Sequence, residues 1–245
     1  MKTNVLVLMT ALLLMMTSCT VSVGEGGKKI EPSEKIVKTE YPQATFDKVE
    51  SHVVGKILLV QSKDSSCSVT LSAPENYIDF FAFKNEDGKL IIDFTEDSFS
   101  LKSDSIKILV SSPNFSEITN TGAAEIRLKG LQGEELNLNN SGVGAFLFSN
   151  LVIRKVDVLC SGVGSIKLNG RAGKVKYECT GVGSIEAKNL KARRVEASVS
   201  GVGGIECYAS EYLNGSVSGV GKIRYAGHPE KKELNAGLTG SISEL

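Results

Sequence analysis

Two carboxylates held at a short, fixed separation can hydrolyse a glycosidic bond, and this chain offers one such pair. Glu186 and Glu206 stand at the same place in consecutive copies of a repeated pattern. Stacked strands would bring them roughly 5 Å apart, the spacing of a retaining glycosidase. Their neighbours argue against that chemistry. Lys167 and Arg224 occupy the same place in the flanking copies, so both acids are expected to stay ionised, whereas a catalytic acid needs a raised pKa. The chain also has no tryptophan to line a sugar subsite. The expectation is a solvated, ion-paired row and no catalytic residue. The two histidines, His52 and His228, lie in separate segments, and their positions suggest neither a Ser/His/Asp set nor a Cys/His set. Cys67, Cys160, Cys179 and Cys207 follow neither a zinc spacing nor a dense disulfide framework. Cys160 and Cys179 take the same inward place on successive copies, close enough for a bridge. Side chains pointing the same way make its torsion awkward, so two buried free thiols are expected. Gly-x-Gly occurs five times, but a strand follows it rather than the helix of a dinucleotide site, and no aspartate follows as in a calcium-binding repeat. No cofactor and no metal are expected.

The first residues carry chemistry of another kind. Lys2 precedes an apolar run at residues 5–16, too short for a transmembrane helix, which needs about twenty residues, and suited to a signal-peptide core. Thr17 and Ser18 then lead into Cys19. The arrangement resembles a bacterial lipoprotein signal, with Met16 standing where leucine is usual. It implies removal of residues 1–18 and a lipid on Cys19. No other segment is apolar enough to cross a membrane, so that lipid is the expected anchor. Residues 19–41 are polar, mixed in charge and broken by Gly24, Gly26, Gly27 and Pro32. They read as a tether with an end-to-end distance of roughly 25 Å. Lys and Arg number 28 and Asp and Glu 28, a formal net charge of zero. That provides no basic face for nucleic acid. Residues 42–245 remain as one domain with ample length for a continuous core.

A repeat must position everything else. Ser141-Gly142-Val143-Gly144 returns as Ser161-Gly162-Val163-Gly164, Thr180-Gly181-Val182-Gly183, Ser200-Gly201-Val202-Gly203 and Ser218-Gly219-Val220-Gly221. Weaker copies stand at Thr121-Gly122-Ala123-Ala124 and Thr239-Gly240-Ser241-Ile242. A period near twenty residues with β-rich units predicts an all-β solenoid. Before each tetrad, alternation places Val156, Val158 and Cys160 inward, then Val175, Tyr177 and Cys179, and so on through the later copies. After it, Ile126, Phe146, Ile166, Ile185, Ile205 and Ile223 form an inward row, with Leu128, Phe148, Leu168, Ala187, Cys207 and Tyr225 beside them. Asn140 takes the inward place of the cysteines and is expected to bond to backbone. Outward rows run Arg127, Leu147, Lys167, Glu186, Glu206, Arg224 and Asn137, Asp157, Lys176, Glu196, Asn214, Asn235. The glycines suit corners, by positive φ or by close backbone approach. Residues 45–118 keep strand character without strict repetition. Asp87-Gly88 predicts a tight turn, and Tyr77, Phe80, Phe81 and Phe83 predict a cap or an irregular first coil.

The motifs Gly88-Lys89-Leu90-Ile91-Ile92, Ser112-Pro113-Asn114-Phe115-Ser116-Glu117-Ile118 before Thr121-Gly122, the tetrads, and the closing Gly221-Lys222-Ile223-Arg224-Tyr225-Ala226-Gly227-His228-Pro229 resemble one family. It is the putative auto-transporter adhesin, head GIN domain family of Bacteroidetes envelope proteins. The resemblance implies a right-handed parallel β-helix, an adhesin-like role and no catalytic residues. The expected function is that of a non-enzymatic envelope lipoprotein presenting a rigid face to a protein or glycan. The alternatives are a polysaccharide-degrading enzyme using Glu186 and Glu206, or a structural spacer without a specific ligand. Surface-exported lipoproteins of such bacteria often carry acidic residues after the lipidated cysteine. Thr20 to Gly24 carry none, so an outer-membrane lipoprotein is expected, with the periplasm-facing side slightly favoured over the cell surface.

Overall fold

The computed structural model describes residues 20–23, 28–96 and 99–245; Cys19 and the expected signal segment lie outside the described residues. The fold is a single β-solenoid of about 6 turns with ~20 residues per turn. Its body is five long strands, Ala123–Asn140, Val143–Cys160, Val163–Cys179, Val182–Val199 and Val202–Val217, each pairing in parallel with the next. Each of these is most of one coil. In Val143–Cys160 the buried residues are Phe146, Phe148, Leu151, Ile153, Val156, Val158 and Cys160. They are two apart within a side and three apart between sides, so the facing phase flips twice. With the bend at Ser161-Gly162 that makes three corners and three sides. At the first of these flips the chain holds Asn150 at φ 57, the preceding coil holds Gly130 there, and the following coil turns at Gly170, which lies in register with Leu151.

Both inward rows read from the sequence are buried ladders, and a third fills the remaining side. Leu131, Leu151 and Leu190 stack along it with Gly170 in register, followed by Ile153, Ala172, Ala192 and Ala209. Hydrogen bonds between coils explain the tetrads. The N–H groups of Ser161 and Gly162 both donate to the carbonyl of Asn140, at 3.1 and 3.0 Å, and Val163 donates to the Gly142 carbonyl at 3.0 Å. The same three bonds recur around Gly181 and Gly201. A Cβ on Gly162 would collide with the backbone oxygens of Gly142 and Ser141. Among the tetrad glycines only Gly144 has a positive φ. Close approach, not left-handed backbone, is therefore the reason for glycine here.

The amino-terminal end is irregular. Val54–Gln61 lies between Ala123–Asn140 and Lys107–Ser112, parallel to both. Cys67–Pro74 then runs antiparallel to Lys107–Ser112. Phe81–Glu86 and Lys89–Phe94 form a hairpin whose turn has Asp87 at φ 50 and Gly88 at φ 76, as two-residue hairpin loops require. Tyr77 and Phe81 are buried in this region, and Phe80, Phe94 and Phe99 pack ring against ring.

Three expectations are corrected. The chain joins the fold before residue 42: Ile36–Gln43 pairs antiparallel along the whole of Cys67–Pro74, and Tyr41 packs on Phe83 at 4.7 Å. Lys38 and Glu40 face water while Val37, Thr39 and Tyr41 turn inward, which suits an edge strand with one wet face. Asn214 pairs with Glu233 rather than standing in row with Asn235. The copy at Thr239 is offset for the same reason. The register that pairs Val217 with Ala236 carries on through the turn over Gly237–Gly240, so Ser241 and Ile242 pair with Lys222 and Ile223.

Candidate functional site

The side that follows the tetrads presents the outward row in the order Leu58, Arg127, Leu147, Lys167, Glu186, Glu206, Arg224, each paired with the next across neighbouring strands. Glu186 and Glu206 are thus adjacent, as the sequence suggests, but each is engaged by cations. Lys167 Nζ lies 3.0 Å from Glu186, and Lys188 Nζ lies 3.0 Å from Glu206. Arg224 also pairs with Glu206. Hydrogen bonding from Lys188, with Arg224 beside it, holds Glu206 below the usual carboxylate range. That is opposite to what a general acid needs. The two acids differ in setting: the Glu206 side chain is 16% exposed and that of Glu186 43%. The row is therefore less uniformly solvated than its sequence implies, and Lys188, from the corner beside it, is a partner the row alone does not reveal.

Over the amino-terminal half of the same side lies a shallow groove of about 540 Å³, within the size range of small-molecule and side-chain binding sites. Leu58 and Leu147 provide apolar floor, and Arg127, Lys129, Lys167 and Lys188 stand around them together with one acid, Glu186, paired to Lys167. Leu109 pairs with Leu58 and is also exposed, as is Val60, so the floor continues as an apolar patch toward the amino-terminal end. Arg127 is held by Glu125 at 2.6 Å, whereas Lys129 carries no ion pair among the described residues. The groove suits a ligand with an apolar surface and an acidic group. Sequence reasoning placed Leu147 in its row but not Leu58, because the non-repeating half gives no register. Leu147 breaking a row of charges was the available signal.

The remaining candidates are structural. His52 Nδ1 meets the Thr121 hydroxyl at 2.7 Å and Nε2 faces Glu50 at 3.2 Å, tying the first coil to the second. His228 is exposed, with Glu244 at 3.6 Å. Cys160 and Cys179 are in register, buried and free, and the Cys179 thiol lies 3.6 Å from the Gly183 carbonyl. Hydrogen bonding with Cys179 and burial push the Cys160 thiol up, and burial pushes Cys207 up to about 12. Asn140 is buried; its amide donates to the Gly144 carbonyl at 3.5 Å and its oxygen accepts from Asn120 at 2.9 Å. Among the described residues no group of three or more His, Cys, Asp or Glu could hold a metal ion, and no helix is long and apolar enough to cross a membrane.

Residues 45–229 match the family described as putative auto-transporter adhesin, head GIN domain. The chain belongs to this family. The match to the head GIN domain ends at Pro229, the last residue of the closing motif. Among solved structures, this head GIN domain is similar to a putative adhesin from Bacteroides fragilis. That protein is 32% identical, the alignment covers 89% of this chain and 100% of that one, and the TM-score is 0.85. A putative lipid binding protein from Parabacteroides distasonis, 22% identical with the same coverages, gives a TM-score of 0.69. A putative adhesin from Parabacteroides merdae, 21% identical with the same coverages again, gives 0.64. At those identities the last two show the shared fold. A search of curated proteins finds no match.

Proposed function

We propose that this protein is a non-enzymatic, adhesin-like lipoprotein of the cell envelope that holds a protein or glycan against the groove over Leu58 and Leu147. The observation that carries this reading is the groove itself: an apolar floor bordered by four cations and Glu186, with Lys129 free of an ion pair among the described residues, on a stack of hydrogen-bonded coils. A rigid floor of this kind loses little conformational freedom when a ligand settles on it. Ion-paired acids in the same row leave binding rather than turnover as the work of the face. The family's adhesin label agrees with that division.

Leu147→Asp combined with Lys129→Glu should weaken adhesion to host cells or to an array of acidic glycans at least tenfold, with the thermal unfolding midpoint little changed. Unaltered adhesion in a folded double variant would remove the groove from consideration. Turnover of a polysaccharide that disappears in Glu186→Gln with Glu206→Gln would move the protein to the enzymes. The anchor is tested separately. Cys19→Ala should leave the precursor uncleaved and unlipidated, read by metabolic labelling with a fatty-acid analogue. Lipid incorporation that persists in this variant sinks the lipoprotein assignment.

A further inference from the structure

A formal net charge of zero conceals one basic side. On the third side of the solenoid, over residues 152–155, 171–174 and 191–194, the charged residues are Arg154, Lys155, Arg171, Lys174, Lys191, Arg193 and Arg194, with no acid among them. Register puts like charges side by side: Lys155, Lys174 and Arg194 pair in succession, and Arg171 pairs with Lys191. Like charges opposite one another across a sheet oppose folding. The like-charged Glu186 and Glu206 are offset by Lys167, Lys188 and Arg224. On the basic side that compensation thins out along the stack. Arg154 meets Glu134 at 2.6 Å, Lys155 meets Glu135 at 2.6 Å and Lys174 meets Glu196 at 2.8 Å. Arg193 faces Glu211 only at 3.6 Å, and Arg171, Lys191 and Arg194 have no ion pair among the described residues.

Two of these unpaired cations are nevertheless held in place. Lys191 Nζ sits 3.8 Å from the centre of the Tyr208 ring, and the Arg194 guanidinium lies 5.5 Å from that of Tyr212. Such contacts steady a long side chain without neutralising its charge. A shallow depression of about 520 Å³ lies on the same side, where Arg154, Arg171 and Arg193 surround the small residues Ala172 and Gly173; its one acid, Glu134, is the partner of Arg154.

We propose that Arg171, Lys191, Arg193 and Arg194 bind a sulfated polysaccharide, a single chain of which crosses these two neighbouring coils. Guanidinium groups take anionic oxygens in paired hydrogen bonds, and two coils place the cations about 5 Å apart across the strands and no more than about 10 Å apart along them. One chain carrying several sulfates can meet all of them. A planar anionic surface fits worse, because Glu134 and Glu135 stand before the cluster and Glu211 behind it, and a bilayer laid on this side would meet those carboxylates too. Nucleic acid also fits worse: its bases stack on open aromatic faces, and Lys191 covers that of Tyr208. A bound polyanion relieves the repulsion between the paired cations, so binding stabilises the fold.

Titration of the full chain in a Cys19→Ser background with heparin should show binding that weakens at least tenfold between about 50 and 200 mM salt, and heparin should raise the unfolding midpoint. Arg171→Glu with Arg194→Glu should weaken binding at least tenfold. The same variant should unfold no earlier than the unaltered chain, because it turns like-charge pairs with Lys191 and Lys174 into opposite ones. Arg171→Gln with Arg194→Gln, which only removes charge, keeps the test open if the reversal misfolds. Lys38→Glu with Lys63→Glu, at exposed cations elsewhere, should leave binding within about twofold of the unaltered chain. Absence of heparin binding, or binding that survives the loss of Arg171 and Arg194, overturns the proposal. Equal affinity for desulfated heparin, for single-stranded DNA or for phosphatidylglycerol vesicles overturns it as well. The cluster shares no side chain with the groove at Leu58 and Leu147. Heparin binding should therefore persist in Leu147→Asp with Lys129→Glu, and loss of one activity with the other intact tells the two failures apart.

Discussion

A methyl group added at Gly162 would have to occupy space held by the Gly142 carbonyl, which already accepts from Val163. Neither backbone can retreat without breaking bonds to the coils on both sides. Gly162→Ala is therefore expected to cost about 3 kcal/mol or more, well above the usual cost of a surface substitution. Gly133→Ala is the control, since the nearest atom to its new Cβ would be 3.5 Å away, and it should stay within about 1 kcal/mol. Denaturant unfolding of the two variants decides; equal stabilities would mean that the tetrad corner relaxes. At Glu206 the effect is electrostatic. Its carboxyl is held below the ordinary value of 4.5 by Lys188 and Arg224, and Glu50 is held down by Lys89, with His52 adding to it. A depressed carboxylate contributes stability that is complete above its unfolded pKa and is lost as pH falls through its folded one. Stability should accordingly drop below pH 4.5, and Glu206→Gln should flatten that acid limb in urea titrations.

Ile36–Gln43 covers one edge of Cys67–Pro74. Removing residues 1–43 would bare that edge, and exposed edges template association with other chains. A truncation starting at residue 44 should melt several degrees lower than one starting at residue 28 and should aggregate on heating, seen by light scattering. Identical melting would mean that the strand is an ornament of the fold. The same strand shows where sequence reading stops. Two sides of the solenoid are legible because Val156-x-Val158-x-Cys160 and Phe146-x-Phe148 repeat in phase with the tetrads. The third side is not, because the register slips on entering it, between Phe148 and Leu151 and between Lys167 and Asn169, so its residues fall out of phase with the tetrads. Several of them are small, as at Gly170, Ala172, Ala192 and Ala209, and Arg154, Lys155, Lys174, Arg193 and Arg194 lie close by. The segment at 36–43 hides in the same way: its alternation is short and its partner is antiparallel, outside the repeat. Of the candidate site, the Glu186–Glu206 adjacency and its neutralisation by Lys167 and Arg224 follow from the period alone. The groove does not, since Leu58 enters the register only through pairing with Arg127.

The solenoid runs from the amino-terminal cap to the last coil as one ladder of neighbours. Each long strand pairs only with those before and after it, so stability accumulates coil by coil. Removing one whole unit, residues 163–181, would join Gly162 to Val182 and bring Val143–Cys160 onto the strand that now follows, with tetrad on tetrad. Such a variant should fold, with circular dichroism of a β protein and a lower unfolding midpoint; failure to fold would show that individual coils are not interchangeable. The ladder also decides how the molecule bears tension. Bonds between coils point along the stack, so a pull on its two ends loads them in series and parts them one coil after another. With ~20 residues per turn, each step releases roughly 60 Å of chain, and force spectroscopy should record a staircase of that rise rather than one abrupt failure. Under the proposed anchoring at Cys19 and binding in the groove near Leu58, a tug between membrane and ligand would take a shorter path. It strains the capped, aromatic-packed end and leaves the coils beyond Lys188 slack, so the distal part of the stack can keep its form while the gripping end carries the load.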